Sequence, residues 1–298
     1  MEYDWDVLLV GDGPTGLAAA LDLVRFGLSV RLIDAKSGLS RLSKALILHR
    51  RTMEVFETLG VAKAIDSESL PFVALNFRPL PFVPRIRLDQ AASFWGDVRF
   101  SGWRCLPQEH TERLLIKALL EQGQSVTWNI RLVSVSNGSN CVKARLKTPT
   151  GSTKIRARWL LGCDGGRGAT RSLVGIQRKL TNLRTSFLVA DVSAKTGLPQ
   201  DEGHAIPARA GAVLIVPMLQ HGSFRLILSV PGDTGEPQDP GWYDDLIRRR
   251  AGLDFSVKAV SWVSLFSVRG GTVERLRSGN LFLLGDAAHI HSRWEDIG

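Results

Sequence analysis

Near its start the chain changes hydrophobic period twice. An apolar run, Trp5 to Val10, is followed by glycine-rich sequence and then by a helix-length stretch, Gly13 to Phe26. Gly27 breaks that stretch, and a second apolar run, Leu28 to Ile33, ends at Asp34. Short run, helix, short run predicts a βαβ unit. Farther on, Met53, Val55, Phe56 and Leu59 share one side of a helix expected over 51–59 and stopped at Gly60, and Leu114, Leu115, Ala118 and Leu119 predict another over about 109–122. Trp159-Leu160-Leu161-Gly162 and Leu281 to Leu284 read as buried strands that return the chain to the first sheet.

Elsewhere strand patterns dominate. Phe187 to Val192, Ala212 to Pro217, Phe224 to Val230 and Ala259 to Val268 predict a separate sheet, with a Gly- and Pro-rich loop at 231–241 and a helix near 241–251. Residues 70–103, where Pro71, Pro79, Pro81 and Pro84 interleave with Phe72, Phe77, Phe82, Phe94 and Trp95, read as an excursion from the first domain. The expected class is α/β. A discontinuous first domain (1–74, 104–180 and 271–298) is interleaved with a second α+β domain on a mostly antiparallel sheet (75–103 and 181–270).

Composition narrows this picture. With 298 residues, 44% hydrophobic and 22% charged, the chain is suited to one large or two smaller cores and is neither disordered nor fibrous. Cys105, Cys141 and Cys163 form neither a disulfide framework nor a zinc spacing, so no metal is expected and a reducing, cytoplasmic setting fits. The acidic start Met1-Glu2-Tyr3-Asp4-Trp5-Asp6 is wrong for a signal peptide, and no apolar run suffices to span a bilayer. The net charge of +9 concentrates in residues 104–184, with 15 Lys or Arg against four acids. Lys143, Arg145 and Lys147 alternate with Val142, Ala144 and Leu146 as on a strand with one wet face, and no nucleic-acid reader pattern is present. Arg248-Arg249-Arg250 reads as a solvated helix end.

The chemistry lies in three glycine-acid motifs: Gly11-Asp12-Gly13-Pro14-Thr15-Gly16, Cys163-Asp164-Gly165-Gly166 and Gly285-Asp286-Ala287-Ala288-His289. The first has a strand before it, a helix after it and Asp34 roughly 20 residues on, the context of a dinucleotide fingerprint. Gly11 permits the tight turn, Gly13 lets backbone approach a pyrophosphate, Gly16 allows close helix packing, and the helix N-terminus stabilises the anion. Asp34 is expected to accept hydrogen bonds from the adenosine ribose. This motif alone leaves NAD and FAD open.

With the other two motifs the sequence resembles the class A, para-hydroxybenzoate hydroxylase-like FAD-dependent aromatic hydroxylases, from the first strand to the last residue. The resemblance implies a Rossmann-like, three-layer β/β/α FAD domain. It implies that Asp164-Gly165 lines the flavin and a nicotinamide path, and that Asp286, with Gly285 and Ala287, binds the ribityl chain. Pro14, Thr15 and Ala35 join the cofactor-binding set. Lys44-Ala45 and Arg51-Thr52-Met53-Glu54 match the segment after the second strand, giving Lys44 and Arg51 as cofactor contacts, and Pro107-Gln108 with Thr111-Glu112 gives Gln108 as a flavin contact. The implied reaction uses FAD, NADPH or NADH, and O2 to hydroxylate a small aromatic or phenolic substrate, polyketide-type metabolites included, through a flavin C4a-hydroperoxide. Phe72, Phe82, Phe94, Trp95, Phe224, Trp262 and Phe266 are candidate pocket residues. His204 and His221 read as surface-loop histidines and Tyr243 as a helix residue, leaving no general base assigned.

The match departs near its end. Arg293 stands where the family has proline, and Trp294, Glu295 and Asp296 stand where small residues let backbone approach the flavin. In the second motif Gly168 and Thr170 replace Ser and Val. The chain is therefore expected to be C-terminally truncated relative to the family. That keeps a second class beside the hydroxylase, a truncated and catalytically impaired FAD-binding protein. A flavin-dependent halogenase is disfavoured by the absence of that group's tryptophan and Ile-Pro signature.

Overall fold

Trp5–Val10 forms strand β1, Pro14–Arg25 helix α1 and Val30–Ile33 strand β2, so the change of period near the N-terminus folds as the βαβ unit it predicts. The structure is a computed structural model that describes residues 3–39, 45–78, 85–89, 99–179 and 181–290, with backbone alone for 181–185 and 267–269. Lys44, Pro79, Pro81, Phe82, Pro84, Phe94, Trp95 and the altered segment 291–298 lie outside the described residues.

Three further strands join β1 and β2. Helix α2 (Gln108–Glu121) precedes β3 (Val126–Thr127), and β4 (Gly151–Gly162) and β5 (Leu281–Leu283) follow. They run parallel in the order β5-β4-β1-β2-β3. Val7 to Val10 are all buried, as strands covered on both faces require. The antiparallel pair Arg131–Asn137 and Val142–Thr148 extends from the first half of β4. Val142, Ala144 and Leu146 join Leu8, Val10, Leu160 and Leu281 in one apolar cluster. Lys143, Arg145 and Lys147 face water, which accounts for part of the local charge surplus as a solvated sheet face.

Two compact units result, 1–43 with 108–182 and 269–298, and 44–107 with 183–268. The division differs from the expected limits chiefly at 44–74 and 104–107. Residues 44–74 fall in the second unit because Ile47–Leu48 and Leu70–Phe72 both pair with Trp103–Cys105 in a small antiparallel sheet. A helix at Ala62–Glu68, just after Gly60, is also absent from the sequence reading.

The larger sheet of the second unit orders its strands 255–272, 181–196, 223–230, 213–217, 202–206, 74–77 and 86–87. Helix α3 (Pro240–Ala251) covers one face. Its start is fixed by the Asp239 carboxylate, which accepts the Gly241 N–H at 3.1 Å, and by Pro240 in the first turn. Its end is fixed by Gly252 at φ 62°, with Arg248 to Arg250 filling the last turn where the dipole favours cations. Tyr243, Leu246 and Ile247 pack with Leu188, Ile215, Leu226 and Leu228.

His204 requires a correction. It lies in the strand Glu202–Ile206, paired with Ile215 and Asn76, and is 1% exposed; only His221 occupies an exposed turn. The strand was missed because its run of Glu202, Gly203 and His204 lacks apolar alternation. Neither ring nitrogen has a hydrogen-bond partner among the described residues, and burial pushes the imidazole down to about 4. The unfolded chain binds this proton near pH 6.5, so stability contributed by His204 is present above that pH and lost as pH falls towards 4, by at most ~1.4 kcal/mol per pH unit. His204→Leu is expected to flatten the urea-unfolding stability profile over this range. An unchanged slope contradicts the assignment.

Candidate functional site

The first unit places its motifs by strand register. Val10 sits beside Gly162 and Ile33, and Gly162 beside Leu283, so β1, β2, β4 and β5 end in one row. The next residues continue the ladder: Gly11 N–H bonds to Ile33 O at 2.9 Å, Cys163 N–H to Val10 O at 2.7 Å and Leu284 N–H to Gly162 O at 2.9 Å. Segments distant in sequence are therefore brought together at the carboxyl edge of the sheet, the usual ligand edge of α/β folds.

Packing between the loops explains two glycines. Gly11 has φ 113°, and a Cβ there would lie 2.3 Å from Cys163 O; a Cβ on Gly16 would lie 1.9 Å from Gly11 O. Both contacts are with backbone, which cannot swing aside. Gly16→Ala is expected to lower unfolding free energy by about 1–3 kcal/mol through overpacking, read as a reduced urea midpoint. A midpoint equal to wild type would refute this close approach. Gly13 differs, because a Cβ there meets nothing within 4 Å. Gly13 caps α1 without a side-chain bond and Pro14 follows, so the helix's first amides receive no side-chain cap. Open backbone and an uncapped, positive helix end fit a pyrophosphate.

The acids are arranged differently. Asp34, at the end of β2, accepts the Asp12 N–H at 3.0 Å and the Lys36 N–H at 2.8 Å. Burial opposes its ionisation, yet hydrogen bonding with the Asp12 side chain, together with these two backbone bonds, holds its carboxyl below the ordinary range. It stays an acceptor with lone pairs to spare for a ribose. Asp164 Oδ2 accepts both the N–H and the hydroxyl of Thr170 at 2.8 Å. Its Oδ1 is buried with no hydrogen-bond partner among the described residues. Thr170 thus has a defined role where the sequence departs from the family, and Oδ1 keeps its lone pairs unused among the described residues. A Cβ on Gly168 would collide with the Asp164 carboxylate, so the second departure also fits this packing.

Asp286 is exposed on the short turn Gly285–Ala287, which Gly285 enters at φ 57° over the Thr15 side chain. Ala287 is buried in the apolar cluster. Arg178, unremarked in the sequence, ties the second and third motifs together, donating to Gly166 O at 2.8 Å and Asp286 O at 3.3 Å. Ala35 is exposed beside Asp34, and Gln108 donates to Glu112 at 2.7 Å across the first turn of α2.

Other expected residues belong to the second unit. Arg51 lies in the second unit, 84% exposed and ion-paired with Glu54 at 2.7 Å. Among the pocket candidates, Phe72 and Phe224 are fully buried core residues; Phe72 stacks on Trp103 and Phe224 meets Phe255 edge-on. Trp262 and Phe266 are half-buried. Tyr243 is buried, its hydroxyl donating to Pro237 O at 2.8 Å.

Residues 4–298 match the family described as FAD binding domain. The chain is 31% identical to 6-methylpretetramide 4-monooxygenase of Streptomyces rimosus, over 96% of this chain and 51% of that protein. It is 29% identical to rifampicin monooxygenase of Streptomyces venezuelae, over 96% and 59%. Among solved structures, the flavin-dependent monooxygenase PieE in complex with FAD and substrate superposes with a TM-score of 0.80 at 26% identity, over 96% of this chain and 53% of that one. The p-nitrophenol 4-monooxygenase PnpA from Pseudomonas putida DLL-E4 shares the fold, with a TM-score of 0.83 at 19% identity over 97% and 74%. The chain spans about half the length of the first of these curated relatives.

Proposed function

The chain belongs to the FAD binding domain family, and from that premise we propose that it acts as an FAD-dependent monooxygenase that uses NAD(P)H and O2 to hydroxylate a phenolic, polycyclic aromatic substrate. The observation that carries the cofactor half of this reading is the row of strand ends that gathers Gly13, Asp34, Asp164 and Asp286 around an open, uncapped helix N-terminus. The substrate half rests on the relatives, whose names describe monooxygenation of pretetramide and rifampicin compounds.

FAD, when bound, supplies the redox chemistry: reduction by the nicotinamide and transfer of one oxygen atom from O2 to an electron-rich ring. The chain's own residues bind and orient. The backbone at Gly13 and the first amides of α1 hold the pyrophosphate, with Pro14 and Thr15 on the same turn, and Asp34 beside Ala35 receives the ribose. Asp164 and Gly165 line one side of the flavin, and Gly285, Asp286 and the Ala287 backbone take the ribityl chain. Gln108 supplies a further contact, and Arg51 and Lys44 are contacts that the family resemblance alone implies. The second unit holds the substrate, with Trp262 and Phe266 offering half-buried aromatic surface on its large sheet. No helix among the described residues is long and apolar enough to cross a membrane, and three free cysteines suit a reducing cytoplasm.

The test is to add FAD to the purified chain, remove unbound cofactor by gel filtration, and follow NADPH and NADH oxidation with a polycyclic phenol under air. A retained flavin band with substrate-stimulated oxidation and an oxygenated product is the expected result. Flavin retention without product sinks the hydroxylase reading and leaves a flavin-binding protein; no retention sinks both.

A further inference from the structure

A carboxylate inside an anion-binding loop is an electrostatic conflict, and the first unit contains one. Asp12, between Gly11 and Gly13, has a side chain with no solvent exposure. Its Oδ2 accepts the Trp128 indole N–H at 2.8 Å, and its Oδ1 meets Lys36 Nζ at 2.5 Å. Asp12 thereby joins the loop after β1 to the loop after β2 and to the residue following β3. The same neighbourhood holds the half-buried Asp34 and the 2%-exposed Glu112, the latter bonded to Gln108. All three carboxyl groups act electrostatically on the Lys36 ammonium.

Building on the assignment of this loop to FAD, we infer that Lys36 sets FAD affinity through Asp12. It neutralises a carboxylate that would otherwise repel the pyrophosphate, and needs no contact with the cofactor. Lys36 is thus a positioning residue, and Asp12 a cross-link that the loop tolerates only while it is paired. Removing one partner of a buried pair leaves an uncompensated charge, whereas removing both charges does not.

The test measures FAD dissociation constants by flavin fluorescence for Lys36→Met, Asp12→Asn and the double variant, with apo-protein melting curves to follow folding separately. At pH 8, Lys36→Met is expected to weaken FAD binding about thirtyfold, ~2 kcal/mol at ~1.4 kcal/mol per factor of ten. Asp12→Asn and the double variant should both stay within about threefold of wild type, since the pairwise term vanishes with the carboxylate. A pH signature accompanies this. Burial, and then Asp34, push the Asp12 carboxyl up while Lys36 and Trp128 oppose them. Without Lys36, lowering the pH therefore favours neutral Asp12 and strengthens FAD binding, while wild type changes less.

An equal loss for Lys36→Met in the Asp12→Asn background would overturn the inference, pointing to direct contact between Lys36 and cofactor. So would undiminished binding by Lys36→Met. If Lys36→Met does not fold, the double variant against Asp12→Asn still decides. Failure of wild type to bind FAD removes the cofactor assignment itself, a result distinct from either.

Discussion

Replacing Gly13 by valine is expected to abolish FAD retention while leaving the apo protein folded. Gly13 has φ −67° and ψ 174°, an extended conformation that any residue adopts, and a Cβ there touches nothing within 4 Å. The fold therefore has no steric objection to the side chain; the poorer helix cap costs about 1 kcal/mol. The cofactor does object, because the space a valine fills is the space in which backbone is to meet the pyrophosphate. We expect FAD affinity to fall by at least ~100-fold, since the anion loses close approach to the helix N-terminus, with the urea midpoint of the apo protein lowered only by the cap's share. Undiminished flavin content after gel filtration would show that the pyrophosphate lies elsewhere. Gly16 behaves oppositely, since a Cβ there meets backbone at 1.9 Å: the fold requires that glycine, and the proposed ligand requires Gly13.

The second large effect concerns the sheet of the second unit. Alternation along its strands sends Ala190 and Leu226 into the core beneath α3 and sends Asp191 and Arg225, directly opposite one another, to the other face. Arg225 Nε and Nη2 donate to the two Asp191 oxygens at 2.7 Å, with side chains 2% and 12% exposed. Trp262 lies 5.6 Å from the guanidinium carbon, adding a cation–π contact. Asp191→Ala leaves a buried guanidinium without its counter-charge and is expected to lower unfolding free energy by about 3–5 kcal/mol. Asp191→Leu combined with Arg225→Met should recover most of that loss, because a packed apolar pair avoids desolvating either ion. Urea unfolding of the single and double variants measures both. A double variant as unstable as the single would mean the pair contributes more than mutual neutralisation.

Much of the first unit was legible because its signals are local. The βαβ period, the glycines of the first motif and Asp34 lie within one short segment, and each element forms where the pattern predicts. Strands β4 and β5 were legible for another reason: buried parallel strands are continuous apolar runs. What the sequence concealed is long-range. Lys36 and Trp128 have no helical or strand spacing to Asp12, and Arg178 has none to Gly166 or Asp286, so their bonds exist only once the sheet has closed. The Asp191–Arg225 pair was invisible for the same reason, two charged residues in otherwise apolar strands that match only by register. Phe72 and Phe224 show the opposite failure, because an aromatic residue looks alike in a core and in a pocket until its neighbours are known.

The even row of strand ends also bears on how the cofactor and the folding of the first unit depend on each other. β5 enters beside β4 only after residues 183–268 of the second unit have intervened between them in sequence, and loop closure over such a span is among the slower, entropically opposed events in folding. The edge that gathers the three motifs is therefore finished late, and an FAD molecule that needs all of them binds only chains whose first and last segments have met. Any such binding feeds back by mass action, stabilising the closed sheet as free cofactor exceeds its dissociation constant. Free FAD in excess is then expected to raise the apparent stability of the first unit, which would make the cofactor a folding partner as well as a reagent.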